Sequence, residues 1–273
     1  MENITIGTPR GILYYKYKYL LTAFFRELNI NLLVSPIFKE IDFKNNIFLS
    51  NYMKSIEYFI DRVNYILIIR ICSDDMNYYF SSIYDIVNTK YDIKTIVLNM
   101  DNKTDEESAF IKLGEQLGFS KSYSLNIYKS AKLQEYKQRK INYLLDLKRL
   151  KKNKKKILLV GDEYIYNNPI NNLVRDIFIE NNIELINVNN INPDDYFDIK
   201  TYIEAIKNNI NYLINYVDAV LYITNYPSIY NNLDLPEDKE KYQIQLDEIK
   251  NKTDLRLDIY KFIDKIKVER KHE

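Results

Sequence analysis

The chain has 273 residues, a length that suits one large domain or two domains of about 130 residues each. Hydrophobic residues make up 46% of the chain and charged residues 28%, which excludes wholesale disorder. The 39 Lys and Arg residues almost balance the 38 Asp and Glu residues, so the formal net charge is +1. We therefore expect neither nucleic acid nor an anionic membrane as a partner, because no overall field attracts one.

Scarce residue types exclude several classes of site. Only five glycines are present, and no GxGxxG or GxxxxGK[ST] phosphate-binding motif occurs. The single cysteine, Cys72, and the single histidine, His272, cannot build a zinc finger, an iron–sulfur cluster within one chain or a Ser–His–Asp triad. No run of ~18 apolar residues and no signal-peptide pattern is present, so we expect a cytoplasmic protein that does not enter membranes.

Short apolar runs alternate with longer segments of helical periodicity along the chain. Strands are predicted at 4–7, 31–35, 65–71, 95–99, 156–160, 183–188, 219–224 and 242–246. Helices are predicted at 12–28, 47–62, 76–89, 105–117, 120–150, 170–181, 200–215 and 254–266. The run YILIIRI is almost continuously apolar, which is typical of a parallel strand that is buried on both faces. Gly118 lies where a glycine would end a helix.

This alternation predicts an α/β protein with two Rossmann-like lobes, mostly parallel sheets and a long helix between them. The pattern restarts after residue 151. We therefore predict an N-terminal lobe over residues 1–118, a connecting helix over 119–151 and a C-terminal lobe over 152–273.

A basic run places seven Lys and Arg residues in the nine positions 148–156. Such a run can bind phosphate or nucleic acid. It can equally be a solvated helix C-terminus, where cations complement the macrodipole. The balanced net charge favours the solvated helix end.

Paired acidic residues occur at four places, namely 74–75, 162–163, 194–195 and 247–248. Two of these pairs, Asp162-Glu163 and Asp247-Glu248, directly follow predicted strands, where α/β folds place their ligands. Carboxylates there can hold Mg²⁺ or transfer protons. They also serve as ordinary helix N-caps, which is the commoner role.

Two arginines are candidate binding groups. Arg10 follows the first predicted strand, and Arg70 lies within or at the end of the third. A charged residue is seldom buried without a partner. The position of Arg70 therefore predicts one of two roles. Its guanidinium either binds an anion or a carboxylate at the carboxyl edge of the sheet, or it forms a salt bridge to Asp61 or Asp85. A lone Cys72 without a nearby histidine is more simply a small structural residue than a reactive thiol.

Ordered motifs along the chain carry a family resemblance. The opening Ile6–Tyr15 (IGTPRGILYY) is similar to the motif G-I-P-R-x-L-x-Y-Y. Further similarities follow in the same order at 24–28, 34–36, 61–66, 70–71, 156–161, 164–172, 218–224, 246–248 and 256–266. On these motifs the chain resembles the 2-hydroxyacyl-CoA dehydratase superfamily, in its activase-related or D-component-like branch.

The resemblance implies a scaffold without its metal chemistry. In that superfamily three cysteines bind a [4Fe–4S] cluster, which an ATP-driven activator reduces for ketyl-radical dehydration. At the matching positions this chain has Ser50, a residue near Asn77, and Ser228. A neutral hydroxyl is a poor substitute for thiolate on iron. We therefore expect no cluster and no cofactor, while Arg10, Arg70, Asp247 and Glu248 remain as candidate ligand-binding residues.

Two functions follow as expectations. The first is a non-catalytic partner or regulatory subunit of a homologous cluster-bearing protein, or a homodimer, since such proteins work as pairs of similar subunits. The second is a metal-free protein or enzyme that binds a CoA ester or another small molecule between its lobes. Enzymatic activity is the less favoured expectation; the family chemistry would be acyl-CoA dehydration.

Overall fold

The computed structural model describes residues 4–38, 47–72, 78–101, 104–161, 169–195, 199–224 and 240–269. The strands are β1 (Thr5–Thr8), β2 (Asn31–Val34), β3 (Tyr65–Cys72), β4 (Thr95–Asp101), β5 (Lys155–Val160), β6 (Ile183–Asn187), β7 (Ala219–Thr224) and β8 (Glu240–Gln245). The helices are α1 (Ile12–Glu27), α2 (Ile47–Phe59), α3 (Tyr78–Lys90), α4 (Glu106–Gln116), α5 (Lys121–Leu150), α6 (Pro169–Glu180), α7 (Ile199–Leu213) and α8 (Lys252–Glu269). The protein is thus α/β, as the alternation predicts.

The first sheet has the order β2-β1-β3-β4, and all its strand pairs are parallel. Helices cover both of its faces. A Cβ atom on Gly7 would lie 2.7 Å from the ring of Phe59 in α2, so α2 packs on the Gly7 face. The Tyr17 hydroxyl of α1 donates to the Met100 sulfur at 3.2 Å. Register and alternation place Met100 on the face opposite Gly7, so α1 packs there.

The second sheet repeats this topology in the order β6-β5-β7-β8, again with parallel pairs. Its central strand β7, AVLYIT, is buried along its whole length. Leu158, Val160 and Val220 form one core with Ile206 and Ile210 of α7. The continuous apolar character of the strand therefore reflects cover on both faces.

The chain divides into two compact units. The first comprises Met1–Pro36 and Leu49–Gln138, and the second comprises Arg139–Glu273 with Ile37–Phe48. The 30-residue α5 begins in the first unit and ends in the second.

Helix ends use asparagine and aspartate where glycine is usual. Gly118 follows α4 with a φ of +86°, the left-handed conformation that its position predicts. Asn29 after α1 and Asn182 after α6 adopt φ values of +56° and +57°, and Asp61 after α2 adopts +61°. Asn and Asp are the non-glycine residues that tolerate this conformation best.

None of the described helices combines the length and the apolar character that crossing a bilayer requires.

Candidate functional site

The order of the strands defines where a ligand is expected. In the first sheet the chain passes from β1 to β2 on one side, and then returns to β3 on the other side of β1. Ligands of open α/β sheets bind outside the carboxyl ends of the strands at such a reversal. The second sheet reverses between β5 and β7, but the segments after these strands, 162–168 and 225–239, lie outside the described residues. We therefore build the site in the first sheet.

Arg10 follows β1 at this reversal and is held by the segment after β2. Its backbone N–H donates to the Ser35 hydroxyl at 3.0 Å, and its Nε donates to the Ser35 carbonyl at 2.5 Å. The guanidinium carbon lies 5.9 Å from the centre of the Tyr14 ring. Burial raises the pKa of Tyr14, and the charge of Arg10 opposes that rise. Two bonds to fully buried Ser35 thus fix the arginine at the carboxyl edge.

Arg70 lies inside β3 and is half-buried, which settles its position in the strand. Its register partner on β4 is Asn99. Because Gly7 pairs with Ile66, alternation along β3 places Arg70 and Asn99 on the same face as Gly7, the face that α2 covers.

Three buried polar atoms on this side of the sheet lack a hydrogen-bond partner within the described residues. They are Asn51 Nδ2 in α2, Ser82 Oγ in α3 and Asn99 Oδ1 in β4. A buried polar group without a partner costs about 1–3 kcal/mol, so native structures rarely keep one without a reason. We call Asn51, Arg70, Ser82 and Asn99 the edge cluster.

Helix and strand geometry brings the edge cluster to one level of the sheet. Arg70 lies four residues beyond Ile66, which is about 13 Å toward the carboxyl edge. Asn51 precedes Phe59 by eight residues of α2, which is about 12 Å in the same direction because the helix runs back along the sheet. Ser82 lies about one turn into α3, which begins at the carboxyl edge. Right-handed crossovers place α2 and α3 on the same face.

The edge cluster combines one cation with neutral donors and acceptors. The Arg70 guanidinium can bind a carboxylate or a phosphate, which are the anions that match its planar geometry. The Asn51 amide can donate, the Asn99 carbonyl oxygen can accept, and the Ser82 hydroxyl can do either. The arrangement suits an anionic molecule that carries its own hydroxyl or carbonyl groups.

The structure separates the other predicted residues. Ser50 lies half-buried in the first turn of α2, beside Asn51. Asn77 and Ser228 lie outside the described residues, as does His272. Asp247 and Glu248 belong to a 3-10 turn, Leu246–Glu248, after β8 in the second unit, and Glu248 is exposed. Arg10 and Arg70 belong to the first unit.

The paired acidic residues likewise do not form one site within the described residues. Residues 74–75 and 162–163 lie outside the described residues. Asp194 is held by Lys140, with its Oδ2 atom 2.6 Å from the ammonium nitrogen. Across the described residues, no group of three or more His, Cys, Asp or Glu side chains is arranged to hold a metal ion.

Sequence reasoning missed Asn51, Ser82 and Asn99. Asn99 offered the clearest signal, because it ends the apolar run TIVLN at the level of Arg70. Asn51 and Ser82 lie in predicted helices, where an asparagine or a serine does not by itself indicate a binding site. These two residues are marked by buried polar atoms that have no partner in the described ranges of the chain.

Comparison of the sequence with protein-family models finds no matching family, and no curated protein matches the chain. Among solved structures, the SBP FpvC from Pseudomonas aeruginosa in complex with Mn²⁺ aligns at 12% identity, covering 100% of both chains with a TM-score of 0.30. The C-terminal domain of glucosamine-fructose-6-phosphate aminotransferase from Francisella tularensis aligns at 9% identity, covering 97% of this chain and 84% of that chain with a TM-score of 0.28. Likenesses at this level assign no ligand or activity to the chain.

Proposed function

We propose that the first unit binds a small hydroxylated anion at the carboxyl edge of its sheet, with Arg70 holding the anionic group. The observation that carries this proposal is the edge cluster, where Asn51, Ser82 and Asn99 each keep a buried polar atom that has no partner among the described residues, at the level of half-buried Arg70. A ligand with hydroxyl and carbonyl groups would satisfy all three. Arg10 supplies a second cation at the same edge, fixed through Ser35.

The motif resemblance narrows the ligand to a 2-hydroxyacyl-CoA or the corresponding 2-hydroxy acid. In this proposal the chain is a cluster-free relative of the 2-hydroxyacyl-CoA dehydratases that binds such a molecule without radical chemistry. The ligand hydroxyl suits the acceptor at Asn99, the acyl carbonyl suits the donor at Asn51, and a carboxylate or phosphate suits Arg70.

Calorimetric titration tests this proposal with lactoyl-CoA, lactate and inorganic phosphate as separate ligands. We expect lactoyl-CoA or lactate to bind, and Arg70→Ala to weaken that binding about tenfold or more because a charge-assisted contact is lost. Arg70→Lys should bind at an intermediate level, since it keeps the charge without the planar fork.

Arg62→Ala is the matched control, because Arg62 is an exposed arginine that precedes the same strand at its opposite edge and contacts the Tyr58 ring. It should leave affinity unchanged. An equal loss in both alanine variants would contradict the proposal, as would the failure of all three ligands to bind the folded wild-type protein.

A second candidate function is a non-catalytic partner of a cluster-bearing homologue. The observation that favours it is Ser50, which lies in the first turn of α2 and which the motif resemblance aligns with the first cluster cysteine. Iron and acid-labile sulfide assays after anaerobic purification should find neither, with no absorption near ~400 nm. Co-expression with a homologue that retains the three cysteines should then yield a complex on size-exclusion chromatography. Near-stoichiometric iron in the isolated chain would reverse the assignment.

A further inference from the structure

The second unit contains a cavity of about 360 Å³ at the edge opposite the one where α/β folds usually bind ligands. Residues 153–156 and 215–218 line it. They lead into the amino ends of β5 and β7, which start at Lys155 and Ala219. The volume falls in the range of small-molecule sites, about 300–1,000 Å³.

The lining of this cavity carries a surplus of positive charge. Three lysines, Lys154, Lys155 and Lys156, line it together with one acid, Asp218. Asp218 already accepts the Lys156 backbone N–H at 2.8 Å. The ammonium groups of Lys155 and Lys156 donate to the neutral carbonyls of Ile266 and Lys154, both at 3.2 Å.

Two basic residues of the run outside the cavity, Arg149 and Lys152, are ion-paired, whereas Lys154 is not. Lys152 lies 3.2 Å from the Glu184 carboxylate, and Arg149 lies 2.9 Å from that of Asp146. Within the described part of the chain, the exposed Lys154 ammonium has neither an ion pair nor a hydrogen bond. The Lys154 ammonium is therefore available to an anion that enters the cavity.

An aromatic ring completes the lining. Tyr216 is half-exposed, and its ring centre lies 5.0 Å from that of Tyr212, which is exposed to a similar extent. Asn153 adds a side-chain amide beside the lysines. A half-exposed aromatic ring next to lysines matches the two halves of a nucleotide, because bases stack on aromatic rings and phosphates pair with ammonium groups.

We infer that this cavity binds a nucleoside phosphate, with Lys154 contacting the phosphate and Tyr216 stacking on the base. A mononucleotide fits better than a nucleic acid strand, because the chain has a net charge of only +1 and the cationic surplus is confined to one cavity. The site belongs to the second unit and is independent of the edge cluster in the first.

Isothermal titration of the full chain with ADP tests this inference. Wild-type protein should bind ADP more tightly than adenosine or inorganic phosphate, because only ADP engages both halves of the site. Lys154→Ala should weaken ADP binding about tenfold. Tyr216→Ala should weaken it about five- to a hundredfold, the usual range for a stacked base. Both side chains are exposed, so both variants should fold, which thermal melting checks.

Lys151→Ala is the matched control, because Lys151 is an exposed lysine of the same loop that does not line the cavity. It should change the affinity less than twofold, and so should Arg70→Ala, which separates this inference from the proposed function. Absence of ADP binding would overturn the inference. Equal weakening by Lys151→Ala and Lys154→Ala would overturn it too, since it would show general charge attraction.

Discussion

Replacing Lys132 with methionine should lower the free energy of unfolding by about 3 kcal/mol, at the lower end of the effect of breaking a buried ion pair. The Lys132 ammonium lies 2.6 Å from Glu106 Oε1 and 2.8 Å from Glu135 Oε2, and it joins α4 to α5. The two carboxylate side chains are only 7% and 2% exposed. Without the lysine, the buried carboxylates of Glu106 and Glu135 would lose the cation that bridges them.

The Lys132 cation also gives this contribution a definite pH dependence. Burial lowers the pKa of Lys132, but the charges of Glu135 and Glu106 outweigh burial and raise the pKa above 10.5 overall. A pKa raised by folding adds stability that is complete below the unfolded value and is lost as the pH rises through the folded value. The difference between wild type and Lys132→Met should therefore be full at pH 7 and shrink above about pH 10.5.

Urea denaturation at pH 7 and at pH 11 measures both effects. Lys129→Met is the control, because Lys129 is exposed on the same helix, and it should change stability by less than about 0.5 kcal/mol. If the two methionine variants lost equal stability, the buried network would not be what stabilises the α4–α5 pair.

Phe59→Ala should lower the free energy of unfolding by about 3–5 kcal/mol, since the ring is fully buried and its removal leaves a cavity against the sheet. Gly7→Ala alone should lower it by about 1–3 kcal/mol, because the new Cβ would meet three ring atoms of Phe59 at 2.7–3.0 Å. The losses of unfolding free energy caused by Phe59→Ala and Gly7→Ala should not be additive in the double mutant.

In the Phe59→Ala background the same Gly7→Ala change should cost nearly nothing or stabilise, because the methyl group then enters the space that the ring left. Chemical denaturation of the four proteins in this double-mutant cycle gives the coupling energy directly. Additive effects would show that the tolerance of position 7 is set by the strand backbone and not by the ring.

Much of this fold could be predicted from sequence because its strands are covered on both faces. The apolar runs at β3, β4 and β7 stand out from polar surroundings, and their predicted bounds lie within two residues of the observed ones. Parallel pairing then follows from the helices between them. The capping role of Gly118 was also predictable, since few residues other than glycine adopt its conformation.

Burial within a helix was harder to predict. The sequence around α1 suggests that some of Tyr14, Tyr15, Tyr17 and Tyr19 are exposed, because one amphipathic face cannot hold all four. In the structure Tyr14, Tyr15 and Tyr17 are buried, and Tyr19 is half-buried. With 3.6 residues per turn these positions span about 200° of the helix circumference, so α1 is covered on more than one side.

The edge cluster escaped sequence reasoning for a related reason. Asparagine and serine are common on surfaces, and nothing in a single sequence tells a solvated amide from a buried one. Arg70 was conspicuous only because it interrupts an apolar strand. The other members of the edge cluster can be recognised only from the structure, in which the strand register pairs Arg70 with Asn99 and the geometry of α2 places Asn51 at the same level of the sheet.

The residues with left-handed backbone conformation at the helix ends determine which substitutions those positions tolerate. Glycine is rare here, yet Asn29, Asp61 and Asn182 close their helices with the same backbone conformation that Gly118 adopts. Each of these side chains can give way to glycine without moving the backbone, and each replacement relieves a small local penalty. The glycine content of a protein therefore records how its turns are encoded, and it is a poor guide to how many sharp reversals its fold contains.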